Sequence, residues 1–372
     1  MNPLVLAPLF ASMILAPSPP KRVQKEIRKI FGKAKGPALL RVKEDFKDPR
    51  SYWKVLNLPG RVDLRPYVGV RKGRLWLGVR GPRMVFKAGL KGFEAVCRFH
   101  LEATVDPGKG VATFLLGSQP DGSRFRLDFR AGPTFDVGVV GPKGGRFLIA
   151  PRRHRALRSY PARIGILRGR NRLWVWTRGE VLAVFKFSCA PGGVGLQVSS
   201  GGLDGCKVWF DDLYLEALAQ TARVKTLVLA SPQGPPVPGF PVFATWRGGA
   251  GVRKLRTGPD GGAALVVPIG PLVKIWTGAD GTGVGWVRFW WPPAKESTPR
   301  PILVLPGQGK RVDARFPDKV EVRFSFRGIR KVPASRPSSR PASSQPVRPG
   351  KAASRPKKGA PPASRPASRK SG

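Results

Sequence analysis

Two segments of this chain combine carboxylates with basic residues at strand-like spacing. In "FEAVCRFHLEA", Phe93, Ala95, Cys97, Phe99 and Leu101 alternate with Glu94, Arg98, His100 and Glu102. In "RFRLDFR", Phe125, Leu127 and Phe129 alternate with Arg124, Arg126, Asp128 and Arg130. Glycosidic cleavage commonly uses two carboxylates facing one substrate, one of them kept protonated by its surroundings. Glu102 and Asp128, with His100 beside them, are therefore the candidate catalytic set, provided their strands are neighbours. Arg98 and Arg126 are the matching candidates for holding a sugar. The competing reading is ion pairing, because each acid sits among arginines. The favoured reading is non-catalytic.

Tryptophans supply a second kind of chemistry. In "RLWVWTRGEVLAVF", Trp174 and Trp176 share a face opposite Leu173 and Val175, and Trp76 alternates with Arg74. Flat indoles offer apolar surface with a polar tip, which suits a sugar ring. The same rings would equally cover the sheet against a second domain or against arginine stems, and both readings stay open. The chain has two histidines and three scattered cysteines, Cys97, Cys189 and Cys206. That pattern gives neither a zinc spacing nor a C-x-x-C pair, so neither metal nor cofactor is expected. Cys97 alternates with core residues and is read as a buried thiol. Cys189 and Cys206 are candidates for a disulfide that spacing alone does not decide. No P-loop occurs, and "GADGTGVGW" lacks the strand-to-helix setting of a dinucleotide fingerprint.

The elements that must position these residues are strands. Among 372 residues, Gly (46) and Pro (40) exceed ordinary usage, which favours short strands and tight turns. Repeated period-two alternation leads to an all-β expectation. "RLWVWTRGEVLAVF" reads as a hairpin turning near Arg178-Gly179. In "VWFDDLYLEAL", the apolar face switches from Val208 and Phe210 to Leu213 and Leu215 past Asp211-Asp212, which predicts a bulge. In "GWVRFWWPP", Trp286, Arg288 and Trp290 oppose Val287, Phe289 and Trp291. One of those faces belongs in a core and the other against the first domain or a ligand.

The order "EDF" (44–46), Trp53, "KGRLWL" (72–77), "FEAVCRF" (93–99), "KGVATFLLG" (109–117), "FRLDF" (125–129), "NRLWVWTRGEVLAVF" (171–185), "GGVGLQ" (192–197) and "VWFDDLYLEAL" (208–218) resembles the concanavalin A-like, or laminin-G-like, jelly roll. Within it the order is most similar to the branch named for 3-keto-disaccharide hydrolases. The resemblance implies two packed antiparallel sheets with ligands on a concave face or its rim. Its motifs specify fold rather than chemistry, and the E-x-D-x-E run of concanavalin-fold glucanases does not occur. Further along, Pro241, Val242, Thr257, Asp260, Gly261, Ala264 and Leu265 resemble the pattern of carboxypeptidase regulatory-like domains, with Gly258 where that family usually has an acid. That implies a smaller immunoglobulin-like β-sandwich without catalysis of its own.

The domain reading is a short apolar leader or signal peptide over 1–20, a basic linker over 21–36, the jelly roll over 37–219, the second sandwich over 223–331, and a tail over 333–372. The run from Leu4 to Ala16 is too short to span a bilayer but suits the apolar part of a signal peptide, so no transmembrane span is expected. "KRVQKEIRKIFGKAK" places Val23, Ile27, Ile30 and Phe31 on one helical face, read as a solvated linker helix with a membrane-surface helix as the alternative. The tail repeats "SRP" without acids or aromatics and is expected to be disordered. The formal net charge is +45. It is spread along the chain, attracts polyanions generally, and names no nucleic-acid partner. The expectation is an exported, lectin-like protein of the cell envelope or beyond, whose positive field favours acidic glycans.

Overall fold

Alternating apolar and polar residues become strands in the computed structural model. It describes residues 18–34, 36–44, 46, 53–56, 67–82, 84–186, 190–277, 283–290, 300–304, 309–315 and 320–325. Residues 1–17 of the leader, the tail and Cys189 lie outside the described residues, and with Cys189 the question of its pairing to Cys206. Among the described residues, no helix is long and apolar enough to cross a membrane.

After helix α1 (Lys21–Phe31) come strands β1 (Leu39–Glu44), β2 (Trp53–Val55), β3 (Val68–Arg71), β4 (Arg74–Arg80), β5 (Val85–Leu90), β6 (Val96–Asp106) and β7 (Val111–Ser118). They continue with β8 (Arg124–Arg130), β9 (Thr134–Gly141), β10 (Gly144–Arg153), β11 (Ala162–Arg168), β12 (Arg172–Thr177), β13 (Glu180–Lys186), β14 (Gly193–Ser199) and β15 (Gly205–Ala219). These build two sheets. The first has the order β13-β12-β11-β6-β15-β4-β3, with β1 also paired to β15; the second has the order β10-β9-β8-β7-β14-β5-β2. The chain crosses repeatedly between the sheets, and the result is an all-β jelly-roll sandwich. Phe99, Leu101, Ile164, Leu215 and Phe210 of the first sheet meet Phe114, Leu127, Phe129, Phe135 and Leu196 of the second in one core. Phe114 makes edge-on contacts with both Phe129 and Phe210, at 6.0 and 5.9 Å between ring centres.

Local expectations meet the structure in detail. The hairpin between β12 and β13 turns at Arg178 and Gly179, both at positive φ (48° and 77°), as a two-residue turn matching strand twist requires. The pairing of β15 with β6 slips between Asp211 and Tyr214, and Asp212 takes φ 48°; that bulge moves the apolar face to Leu213 and Leu215. A second slip, between Leu218 and Ala219 opposite Arg98 and Val96, buries Val96 and leaves Cys97 half-buried. The buried thiol expected of Cys97 is corrected to a half-buried one.

Helix α1 forms where its periodicity placed it, with Arg28 and Lys29 in its last turn, where cations complement the helix dipole. It is not a solvated linker helix. Val23 and Phe31 are buried, and with Ile27 and Ile30 they pack on Leu39, Leu167, Trp174 and Trp176 on the outer face of the first sheet.

Strand β15 passes through Gln220 into a second pair of sheets. Their strands are β16 (Thr221–Leu229), β17 (Pro241–Trp246), β18 (Arg253–Arg256), β19 (Gly262–Pro268), β20 (Val273–Thr277), β21 (Gly283–Trp290), β22 (Arg300–Val304), β23 (Gly309–Arg315) and β24 (Val320–Ser325). The orders are β19-β16-β24-β22 and β18-β17-β20-β21-β23. The β16–β24, β22–β24 and β21–β23 pairs are parallel. Thr257 ties this part together: its hydroxyl accepts from Phe240 N at 2.8 Å and donates to Val237 O at 2.7 Å. Thr257→Ala leaves both groups unsatisfied in a buried place, and an expected loss of about 2 kcal/mol should be read from the urea midpoint. On β21, Val287 and Phe289 are buried, while Arg288 on the opposite face donates to Glu94 of the first sandwich at 3.0 Å.

Candidate functional site

The structure separates the two candidate carboxylates. Arg98, His100 and Glu102 point outward from β6 in the first sheet; Arg126 and Asp128 point outward from β8 in the second. The outer faces of a sandwich look in opposite directions, with the packed core between them. Glu102 and Asp128 therefore do not face one substrate, and the proposed pair is corrected. The sequence pattern is the same on both strands, and only the sheet assignment distinguishes them.

On the first face, Glu102 is held by His100 Nε2 at 2.9 Å and by Arg163 Nε at 3.1 Å. Burial by itself would raise the Glu102 carboxyl, but His100 and Arg163 outweigh it and hold it below its ordinary value. His100 stacks on Trp176 with centroids 5.7 Å apart. Trp174 and Trp176 are only 6% and 3% exposed, because α1 lies over them. They offer no open platform here. Trp76 lies four strands further along, with β11, β6 and β15 between, or roughly 19 Å from β12 at the usual strand spacing. Its ring carries Lys207 Nζ at 4.5 Å. The three indoles and the candidate acids thus form no single groove.

The second outer face is more organised than the sequence indicated. Cross-strand register places Lys87, Gln197, Thr113, Asp128 and Asp136 in one row across β5, β14, β7, β8 and β9. The next row is Lys54, Gly89, Gly195, Leu115, Arg126 and Gly138. Side chains lie over two of its glycines, Leu56 on Gly89 and Arg126 on Gly138. Thr113 Oγ1 donates to Asp128 Oδ1 at 2.8 Å, and Arg130 Nε donates to Asp136 Oδ2 at 2.9 Å. Burial, then the neighbouring Asp136 carboxylate, pushes the Asp128 carboxyl up to about 6 against the pull of Arg126 and Arg130. Asp136 Oδ1, Gln197 Oε1 and Arg126 Nε are buried without a hydrogen-bond partner. Asp136, Thr113, Gln197 and Lys87 were not singled out from the sequence. Their one signal is a polar residue out of phase with the core side of a strand, which many surface positions share.

Beside this row lies a cavity of about 420 Å³. Lys54, Lys87, Glu94, Ser118, Gln119 and Arg124 supply its polar lining, and Leu115, Val194, Gly89 and Gly193 are among its apolar and bare parts. A Cβ added at Gly193 would meet nothing nearer than 3.7 Å, so this glycine leaves room that a side chain would fill. Ser118 Oγ and Arg124 Nε are buried and unpartnered. Gln119 and Arg124 also line a second cavity of about 440 Å³, with Arg146 and Lys186. Among the described residues, no group of three His, Cys, Asp or Glu is placed to hold a metal ion.

No protein-family model and no curated protein matches the chain. Solved structures do. A carbohydrate-binding module from Bacillus subtilis is 12% identical, with a TM-score of 0.35 over 44% of this chain and 94% of its own. A β-glucanase from Bacillus licheniformis is 10% identical, with a TM-score of 0.37 over 48% and 98%. A prokaryotic β-1,3-1,4-glucanase derived from a mouse hindgut metagenome is 10% identical, with a TM-score of 0.37 over 49% and 100%. At these identities the likeness concerns fold alone.

Proposed function

We propose that this is an exported, non-catalytic carbohydrate-binding protein with two sandwich domains, over 37–219 and 223–331, and that its sugar site is the cavity on the outer face of the second sheet. The observation that carries this reading is the cavity lining. Amide, hydroxyl, ammonium and guanidinium groups ring a small apolar floor, in a volume of ligand-site size. Sugar hydroxyls both donate and accept, so they would satisfy the unpartnered Ser118 Oγ and Arg124 Nε. The surplus of cations at the cavity favours acidic glycans over neutral ones. Trp174 and Trp176 take no part in this site, since α1 occupies their face.

Gly193→Phe tests the site. Gly193 has an ordinary φ, and a Cβ there would make only ordinary contacts, the nearest at 3.7 Å from Ser118, so a ring can enter the cavity without straining the strand. On a glycan array followed by titration calorimetry, the wild type should bind and the variant should lose at least tenfold in affinity at an unchanged thermal midpoint. Equal binding by both proteins would move the site elsewhere.

A glycoside-hydrolase reading has one supporting observation, the cross-strand pair Asp128–Asp136 with Asp128 raised to about 6. Asp128 and Asp136 are 2% and 0% exposed, which favours binding over cleavage. If Asp128→Asn or Asp136→Asn removes a glycan-cleaving activity of the wild type while glycan binding persists, the non-catalytic reading is wrong.

A further inference from the structure

We infer that the outer face of the first sheet, with helix α1 seated on it, is a docking surface for an anionic lipid bilayer. This surface is separate from the sugar cavity, which lies on the opposite outer face.

Helix α1 spends its apolar side inside the protein, where Val23 and Phe31 are buried with Trp174 and Trp176. Its other side is left to solvent. Lys21, Arg22, Lys25, Arg28 and Lys29 are exposed along the helix, and Lys33 just past its end is exposed as well. Lys21, Lys25 and Lys29 follow one another at one-turn spacing, and like charges at that spacing oppose a helix. The one acid of the helix, Glu26, is half-buried. The acids on the sheet beneath are taken by other cations: Glu102 by Arg163 at 3.1 Å, Glu216 by Arg41 at 2.6 Å and Asp211 by Arg74 at 3.1 Å. The row of cations on α1 therefore gets its complement from outside the chain.

An apolar rim beside the helix favours a bilayer over a soluble polyanion. Val181 and Val184 of β13 pair with Trp176 and Trp174, and directly paired residues share a face of the sheet. The tryptophans lie under α1, whereas the valines are 37% and 46% exposed. A Cβ at Gly179 would stand 3.7 Å from Ser18 O, so the start of α1 adjoins this same hairpin. Exposed aliphatic groups next to a row of cations fit a headgroup layer, where the charges meet phosphates and the methyl groups reach the acyl boundary. A nucleic-acid backbone or a sulfated glycan offers the valines nothing comparable. Because the apolar side of α1 is already used, the helix binds through charge and does not sink into the lipid. Docked in this way, the first sheet faces the membrane and the sugar cavity faces away from it.

Co-sedimentation of the full chain with vesicles tests the inference, comparing equal parts phosphatidylcholine and phosphatidylglycerol with phosphatidylcholine alone. The wild type should bind the anionic vesicles at least about tenfold more tightly than the neutral ones. Lys21→Gln, Lys25→Gln and Lys29→Gln combined should weaken that binding about a hundredfold. The thermal midpoint should not fall, since the variant removes repulsion along the helix. Lys109→Gln, Lys143→Gln and Arg153→Gln combined remove the same charge from other exposed positions and should leave vesicle binding nearly unchanged. Val181→Ser with Val184→Ser should weaken it about fivefold. Equal losses in the two triple variants would assign the binding to the overall charge of the protein and overturn the inference. Equal binding to both kinds of vesicle would overturn it as well, because the charges of α1 would then take no part. If the α1 variant keeps the anionic vesicles but loses a DNA duplex or a sulfated tetrasaccharide that the wild type binds, the face belongs to that polyanion and not to lipid. None of these outcomes touches the sugar cavity, which Gly193→Phe tests by itself.

Discussion

Asp128→Asn should stabilise the protein by about 3 kcal/mol at pH 8 and leave it unchanged near pH 3. The sign follows from the direction of the shift. Asp128 is raised from 3.8 to about 6 in the folded state, so between these values the folded chain holds a proton that the unfolded chain releases. The stability this proton contributes is complete below about pH 3.8 and is lost as pH rises through 6. A shift of about two units corresponds to about 3 kcal/mol. Little solvent discount applies, since Asp128 is 2% exposed. The groups facing it are Thr113, Asp136, Arg126 and Arg130, the last two at 3.5 and 3.6 Å. Asparagine keeps the neutral shape. Its carbonyl can still accept from Thr113, and its amide places a donor beside the Asp136 carboxylate, whose Oδ1 has no partner. Urea unfolding of both proteins across pH 3–8 decides the matter. The two curves should diverge between pH 4 and 7, with the wild type falling away; parallel curves would mean that Asp128 ionises in the fold as it does in water.

What periodicity could convey about this chain was local. The hairpin at Arg178-Gly179, the bulge at Asp211-Asp212 and the apolar face of α1 each depend on a few adjacent residues, and each is where the pattern put it. The candidate site depended on longer relations. Glu102 and Asp128 carry the same signature, yet β6 and β8 belong to different sheets, a distinction made by strand pairings across tens of residues. Asp136 becomes notable only opposite Asp128, and Lys87 only where register brings it to the same row and the cavity to Arg124. The indoles illustrate the same limit from the other side. Which face Trp174 and Trp176 share was legible, but not that a helix from the start of the chain would cover it.

That cover rests on a glycine, and Gly165→Ala should cost on the order of 3–5 kcal/mol, the usual range for losing a buried tryptophan's packing. Gly165 on β11 pairs with Trp176 on β12, and the indole lies flat across it, so that a methyl group there would overlap Trp176 Cε2 and Cζ2. A buried ring has no empty space to retreat into. Moving Trp176 outward breaks its stack on His100 and removes the seat of Val23 and Phe31. Helix α1 should then come off the sheet, and mass spectrometry of brief trypsin digests should find the first cuts at Lys21, Lys25 and Lys29. Gly141→Ala is the comparison, because its Cβ would meet nothing nearer than 3.9 Å, and it should be neutral. The mechanism has a sharper consequence in a double-mutant cycle. With Trp176→Ala already in place, the added methyl has nothing to overlap, and Gly165→Ala should cost less than about 1 kcal/mol, an ordinary surface-type change. If the two losses simply add, the indole is not seated on Gly165, and the docking of α1 must depend on Leu39, Leu167 and Trp174 instead.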